Sequence, residues 1–174
     1  MPAAVNGAAF AAFVASGQTC VSGTRILIQE QVYDEFMAFF LEKVESIKCR
    51  MGDRECRLSV VASVVLTSST AANPLSTMGT VISHKSLDRI DAMVKRSSGT
   101  ILAGGERLQG KSELDGFDFS QGAFYPPTVV TDVGLEDELW IEEVFGPVVV
   151  VKKFSVSLMI MINASCNLTD EFID

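Results

Sequence analysis

Phe145-Gly-Pro-Val-Val-Val-Val-Lys-Lys-Phe154, FGPVVVVKKF, carries the most telling pattern in this chain. Four consecutive valines leave no polar face. A strand with one solvated side alternates apolar and polar residues, whereas a run apolar at every position is buried on both faces. Strands of that kind belong to parallel sheets covered by helices on either side.

The neighbouring segments supply those helices. TRILIQ (24–29) is a short run rich in branched residues and reads as a buried strand. In the next segment, QVYDEFMAFFLEKVESI, Val32, Phe36, Phe39, Phe40, Leu41, Val44 and Ile47 recur at helical spacing. SHKSLDRIDAMVKRSSG (83–99) is a second amphipathic helix. Ser83 or Ser86 caps it, Leu87, Ile90, Met93 and Val94 form the stripe, and Gly99 ends it. TILAGG reads as a strand entering a glycine turn. FYPPTVVTDV reads as an extended piece whose Pro126 and Pro127 mark an edge or an irregular entry. LEDELWIEE is a short acidic helical turn, and residues 5–17 a small-residue helix ending near Gly17. Strands alternating with helices define an α/β fold with a largely parallel sheet flanked by helices.

Composition narrows the function classes. The chain has 174 residues and a net charge of −8, which argues against nucleic acid or an anionic membrane as main partner. The four cysteines, at 20, 49, 56 and 166, form no C-x-x-C pair, and His84 is the single histidine, so no metal site is expected. Residues 1–24 and 58–84 carry no charge, but Ser, Thr, Asn73 and Pro74 make the second a poor membrane span. The apolar AAFAAFVA stretch, with sequons at Asn163 and Asn167, suits a secreted protein, yet no Lys or Arg precedes it. We expect a cytoplasmic protein with no membrane partner.

Two stretches fit the α/β pattern poorly. Residues 54–72 are an apolar Ser/Thr-rich insert, and residues 155–174 an apolar run with a polar end.

Three sites carry candidate chemistry. Gly105 to Ser112 matches G-x-x-x-x-G-K-[ST], the phosphate-cradling loop, but the segment after Lys111 lacks the helical stripe such a loop needs. His84 reads as an ordinary residue at a helix start. Cys20 lies in FVASGQTCVSGTR (13–25), among small residues between a helical segment and a strand. A nucleophile, a half-cystine and a core cysteine are all compatible with that setting.

Two motifs extend this reading. GQTC (17–20), continuing to Gly23-Thr24-Arg25, resembles the catalytic-cysteine motif of the aldehyde dehydrogenase superfamily. EEVFGP (142–147) resembles that family's downstream cofactor motif, and NPLSTMGTVIS and FYPPTVV are similar to the stretches between them. The resemblance covers residues 4–53 and 73–154. It implies an oxidoreductase fold in which Cys20 attacks a small-molecule aldehyde, giving a thiohemiacetal and then a thioester hydrolysed to the acid, with NAD or NADP taking the hydride. It assigns Glu143 to the nicotinamide ribose hydroxyls and Phe145 to the wall beside the nicotinamide. In that family the nucleotide-binding half precedes the cysteine and brings the second oxyanion donor and the water-activating glutamate. We therefore expect residues 1–154 to be a partial catalytic domain of a truncated, homo-oligomer-forming enzyme. We expect the isolated chain to be inactive for lack of the nucleotide-binding half, and a non-enzymatic remnant is the alternative. The 54–72 insert and the 155–174 tail are expected to be atypical additions.

Overall fold

The computed structural model describes residues 1–49, 78–112 and 116–155. The 54–72 insert, Cys56, Cys166 and all but the first residue of the 155–174 stretch lie outside them.

The valine run does what its pattern predicts. It forms β4 (Val148–Phe154), and Val148 to Val151 are each at most 1% exposed. Among the described residues the sheet has four strands, in the order β1-β4-β3-β2. β1 (Arg25–Gln29) and β3 (Thr128–Thr131) flank β4 and run parallel to it, while β2 (Thr100–Ala103) pairs antiparallel with β3 at one edge. The architecture is α/β with a largely parallel sheet.

Successive side chains of a strand point to opposite faces, and β4 shows the consequence. Val149 and Val151, with Val129 of β3, join a core built from α1 (Pro2–Phe13) and α2 (Glu30–Glu45). Val148 and Val150, with Val130, join a second core built from α3 (His84–Arg96) and α4 (Glu138–Ile141). Ser83 caps α3 by accepting the Ser86 N–H at 3.1 Å, and all four stripe residues of that helix are buried.

Two expectations change and a third narrows. Among the described residues TRILIQ is an edge strand, not a buried one: β4 covers one side, and Leu27 is 55% exposed. In α2 the buried face is Phe36, Met37, Phe40 and Val44, leaving Val32 and Phe39 exposed. The helix packs against α1 and the sheet, and those contacts leave part of its apolar surface uncovered by described residues. Of the two readings of FYPPTVV, the irregular entry holds and the edge does not: all of Thr128–Thr131 is buried in an interior strand, and the two prolines precede the ladder where no N–H is needed.

Candidate active site

Cys20 sits in a loop that the local sequence would not adopt unaided. α1 stops at Phe13, and a single 3₁₀ turn (Val14–Gly17) follows. Ala15, Ser16 and Gly17 have φ of 51°, 56° and 69°. Left-handed backbone costs a residue with a Cβ about 1–2 kcal/mol, so Ala15 and Ser16 are strained.

Long-range hydrogen bonds hold the strain. The Ser16 hydroxyl donates to the Gly79 carbonyl at 3.0 Å. The Gln18 amide donates to Ala15 (3.1 Å) and Thr80 (3.4 Å) carbonyls, and its oxygen accepts the Ile82 N–H at 2.7 Å. On the far side of the cysteine, Ser22 donates to Ala11 and Ala12 carbonyls, and the Gly23 N–H bonds Ala11 at 2.8 Å. The Val150 N–H then bonds the Thr24 carbonyl, passing the chain into the sheet. Cys20 is exposed at the apex. Its N–H bonds no partner among the described residues and is free to donate.

Glu143 and Phe145 lie on the loop between α4 and β4. Glu143 is exposed, and its carboxylate has no hydrogen bond or ion pair among the described residues. Phe145 is half-buried with φ 51°. Two guanidinium groups hold this loop by its carbonyls. Arg25 donates to Trp140 (2.6 Å), Ile141 (3.0 Å) and Glu142 (3.2 Å), while Arg89 donates to Glu143 (3.4 Å) and to Val144.

The two motifs meet. A Cβ added to Gly17 would lie 2.1 Å from the Gly146 carbonyl oxygen and 3.1 Å from the Pro147 nitrogen. A Cβ on Gly146 would lie 2.4 Å from Ile90 Cδ1, so α3 supports the contact from below. The small residues around Cys20 thus serve backbone-to-backbone approach, which composition alone does not reveal.

The other candidates separate from this site. Lys111 begins no helix; its backbone bridges to Asp118, and the Ser112 N–H is taken by the Phe117 carbonyl at 2.7 Å. A phosphate-cradling loop needs those amides free at a helix start. His84 is exposed at the first position of α3. Cys49 is buried, and burial pushes its thiol up to about 12, with nearby Lys48 opposing. Among the described residues no group of three His, Cys, Asp or Glu is placed to hold a metal, and no helix is long and apolar enough to cross a membrane. The positioning roles of Arg89, Ser16 and Gln18 are not legible in the sequence, because donors to distant carbonyls leave no periodicity.

Comparison with known proteins places these features. Residues 1–165 match the Aldehyde dehydrogenase family, and the chain belongs to that family. It is 34% identical over 153 residues to (Z)-2-((N-methylformamido)methylene)-5-hydroxybutyrolactone dehydrogenase of Acinetobacter baylyi, covering 87% of this chain and 26% of that protein. It is 34% identical over 149 residues to D-glyceraldehyde dehydrogenase (NADP(+)) of Picrophilus torridus, covering 84% and 25%. It superposes with a TM-score of 0.68 on betaine aldehyde dehydrogenase of Staphylococcus aureus in complex with NAD+, at 30% identity, covering 89% of this chain and 26% of that one. The chain therefore spans about a quarter of the length of the relatives it matches.

Proposed function

We propose that this chain provides the nucleophile-bearing part of an NAD- or NADP-dependent aldehyde dehydrogenase, with residues 1–154 as the partial catalytic domain. Cys20 is the nucleophile, and Glu143 and Phe145 are cofactor contacts. The observation that carries the reading is the contact of Gly17 with Gly146, which sets the cysteine loop against the Glu143 loop.

The donor set suits a nicotinamide ribose. A solvent-facing carboxylate with no competing partner accepts two hydroxyl donors, and Glu143 has that character. Phe145 offers an aromatic face beside it. Two relatives bear on the cofactor: one is named for NADP(+) and one was solved with NAD+.

The chemistry starts at the cysteine. The thiol proton goes to solvent, and the thiolate sulfur bonds the aldehyde carbon. The carbonyl oxygen becomes an oxyanion, which the free Cys20 N–H stabilises in part. A bound nicotinamide supplies the acceptor for the hydride that leaves the tetrahedral carbon. Cys20 then carries a thioester. Water attacks it, releasing the carboxylic acid and restoring the thiol. The substrate is a small aldehyde, the setting cytoplasmic, and the assembly of the whole enzyme a homo-oligomer. Because the chain spans about a quarter of its relatives' length, the proposal concerns what it contributes, and we expect no useful aldehyde oxidation from these 174 residues alone.

Peptide mass mapping after brief treatment with iodoacetamide tests the nucleophile. Cys20, exposed, should react about a hundredfold faster than buried Cys49, whose thiol is held protonated. p-Nitrophenyl acetate should leave its acyl group on Cys20, and Cys20→Ser should lose it. Equal labelling of Cys49, or no acyl group on Cys20, would overturn the assignment.

A further inference from the structure

Five consecutive backbone carbonyls, from Trp140 to Val144, each accept from an arginine side chain. Consecutive carbonyls at a helix end are normally left to water or to a glycine turn. Here Arg25 comes from β1, an edge strand among the described residues, and Arg89 from α3, so two elements far apart in sequence converge on one loop.

We propose that Arg25 and Arg89 form a clamp that positions Glu143 and Phe145 for the cofactor. This rests on the cofactor reading of Glu143 given above. A guanidinium presents several donors in one rigid plane, so each arginine fixes more than one carbonyl and hence the rotation of the peptide planes between them. The backbone past the clamp needs that help. Phe145 is left-handed at φ 51°, a conformation its Cβ disfavours. Gly146, next in line, is wedged between Gly17 and Ile90. Arg89 and Ile90 are adjacent on α3, so one turn of helix both donates to the loop and buttresses it. Met93 Sδ, one turn further along, accepts from Arg89 Nη1 at 3.2 Å and holds the guanidinium in place. Arg25 comes directly after the Cys20 loop, so the clamp couples the nucleophile's exit strand to the cofactor loop.

The two arginines divide the work. Arg25 governs residues 140–142 and Arg89 governs residues 143–144, so Arg89 is the positioning residue nearer Glu143.

The experiment uses the 174-residue chain with Arg89→Ala, Arg89→Lys and Arg25→Ala. Amide hydrogen exchange should quicken about tenfold at Val148 (bonded to the Gly146 carbonyl) in Arg89→Ala and at Glu142 (bonded to the Glu138 carbonyl) in Arg25→Ala, as expected for losing charge-assisted hydrogen bonds to the loop. Amides of α2 and β1 should not change. Arg89→Lys, a point charge without the fork, should recover part of the protection. In the same samples, NAD+ is titrated while backbone NMR shifts of residues 143–146 are followed. Arg89→Ala should raise the apparent Kd about tenfold. Unchanged exchange in Arg89→Ala overturns the clamp. Faster exchange with an unaltered Kd overturns its positioning role. A Glu143→Gln variant that binds NAD+ as well as wild type defeats the cofactor reading of Glu143; the exchange arm still decides the clamp.

Discussion

Gly17 and Gly110 share a backbone conformation and little else. Both are left-handed, at φ 69° and 73°. A Cβ on Gly110 would meet nothing within 4 Å, whereas one on Gly17 would meet the Gly146 carbonyl oxygen at 2.1 Å. The loop around Gly110 is held by its own neighbours: Phe119 bonds Gly110, and Ser112 bonds Phe117. The loop around Gly17 is held by residues 79 to 82 and presses on residue 146. Gly110 belongs to a motif match and makes a turn. Gly17 joins two separated parts of the chain. A string of residues identifies a site only when tertiary contacts converge on it.

Substituting the two glycines should expose the difference most strongly. Gly17→Ala meets backbone that cannot step aside, and should cost roughly 3–5 kcal/mol in denaturant unfolding. Gly110→Ala incurs only the left-handed penalty, about 1 kcal/mol. Equal shifts in the two midpoints would erase the distinction. A smaller effect concerns Lys111. Its side chain is exposed and begins no helix, so Lys111→Ala should change stability by less than about 0.5 kcal/mol. The same variant should leave calorimetric titration with magnesium-ATP as flat as wild type; a binding isotherm lost in the variant would restore the phosphate-loop reading.

The smallest expected effect separates the loops by pH. Asp118 accepts from the Ser120 side chain and the Ser120 N–H, which hold its carboxyl below the usual carboxylate range. Its folded pKa is lowered, so the stabilisation is present above the unfolded value near 4 and is lost as pH falls through the folded one. The ties of the Cys20 loop described above come from Ser16, Gln18, Ser22 and backbone, none of which titrates there. Acidification toward pH 3 should lower the protection of the Ser120 amide, measured against the intrinsic exchange rate at the same pH, while leaving the Ile82 amide, bonded to Gln18, as protected as at neutral pH. Parallel loss at both would contradict this division.

Patterns that repeat along the chain are readable in advance. The unbroken valines announce a strand buried on both faces, and α3's four-residue stripe is buried in full. α2 is readable as a helix but not as to which of its seven apolar positions are covered, because periodicity does not report how wide a partner surface is. Residues 5–17 read as one helix, yet three left-handed residues close it early, and contacts with residues 79 to 82 help to hold that strained backbone. Cys20, Glu143 and Phe145 are legible as motif positions. That Gly17 and Gly146 touch is not, and neither is the pair of arginines that holds Trp140 to Val144.

By itself the sequence determined the class of fold, since periodic burial of apolar side chains is a local property of helices and strands. It also determined the family, through two short motifs in the right order. Of the two described cysteines, the tertiary structure decided that Cys20 is presented to solvent and Cys49 sealed, its thiol raised to about 12. It also decided which glycine must lack a side chain, and where Arg25 and Arg89 send their donors. Those outcomes depend on groups distant in sequence coming within a few ångströms of each other, and no spacing along a chain encodes such an approach.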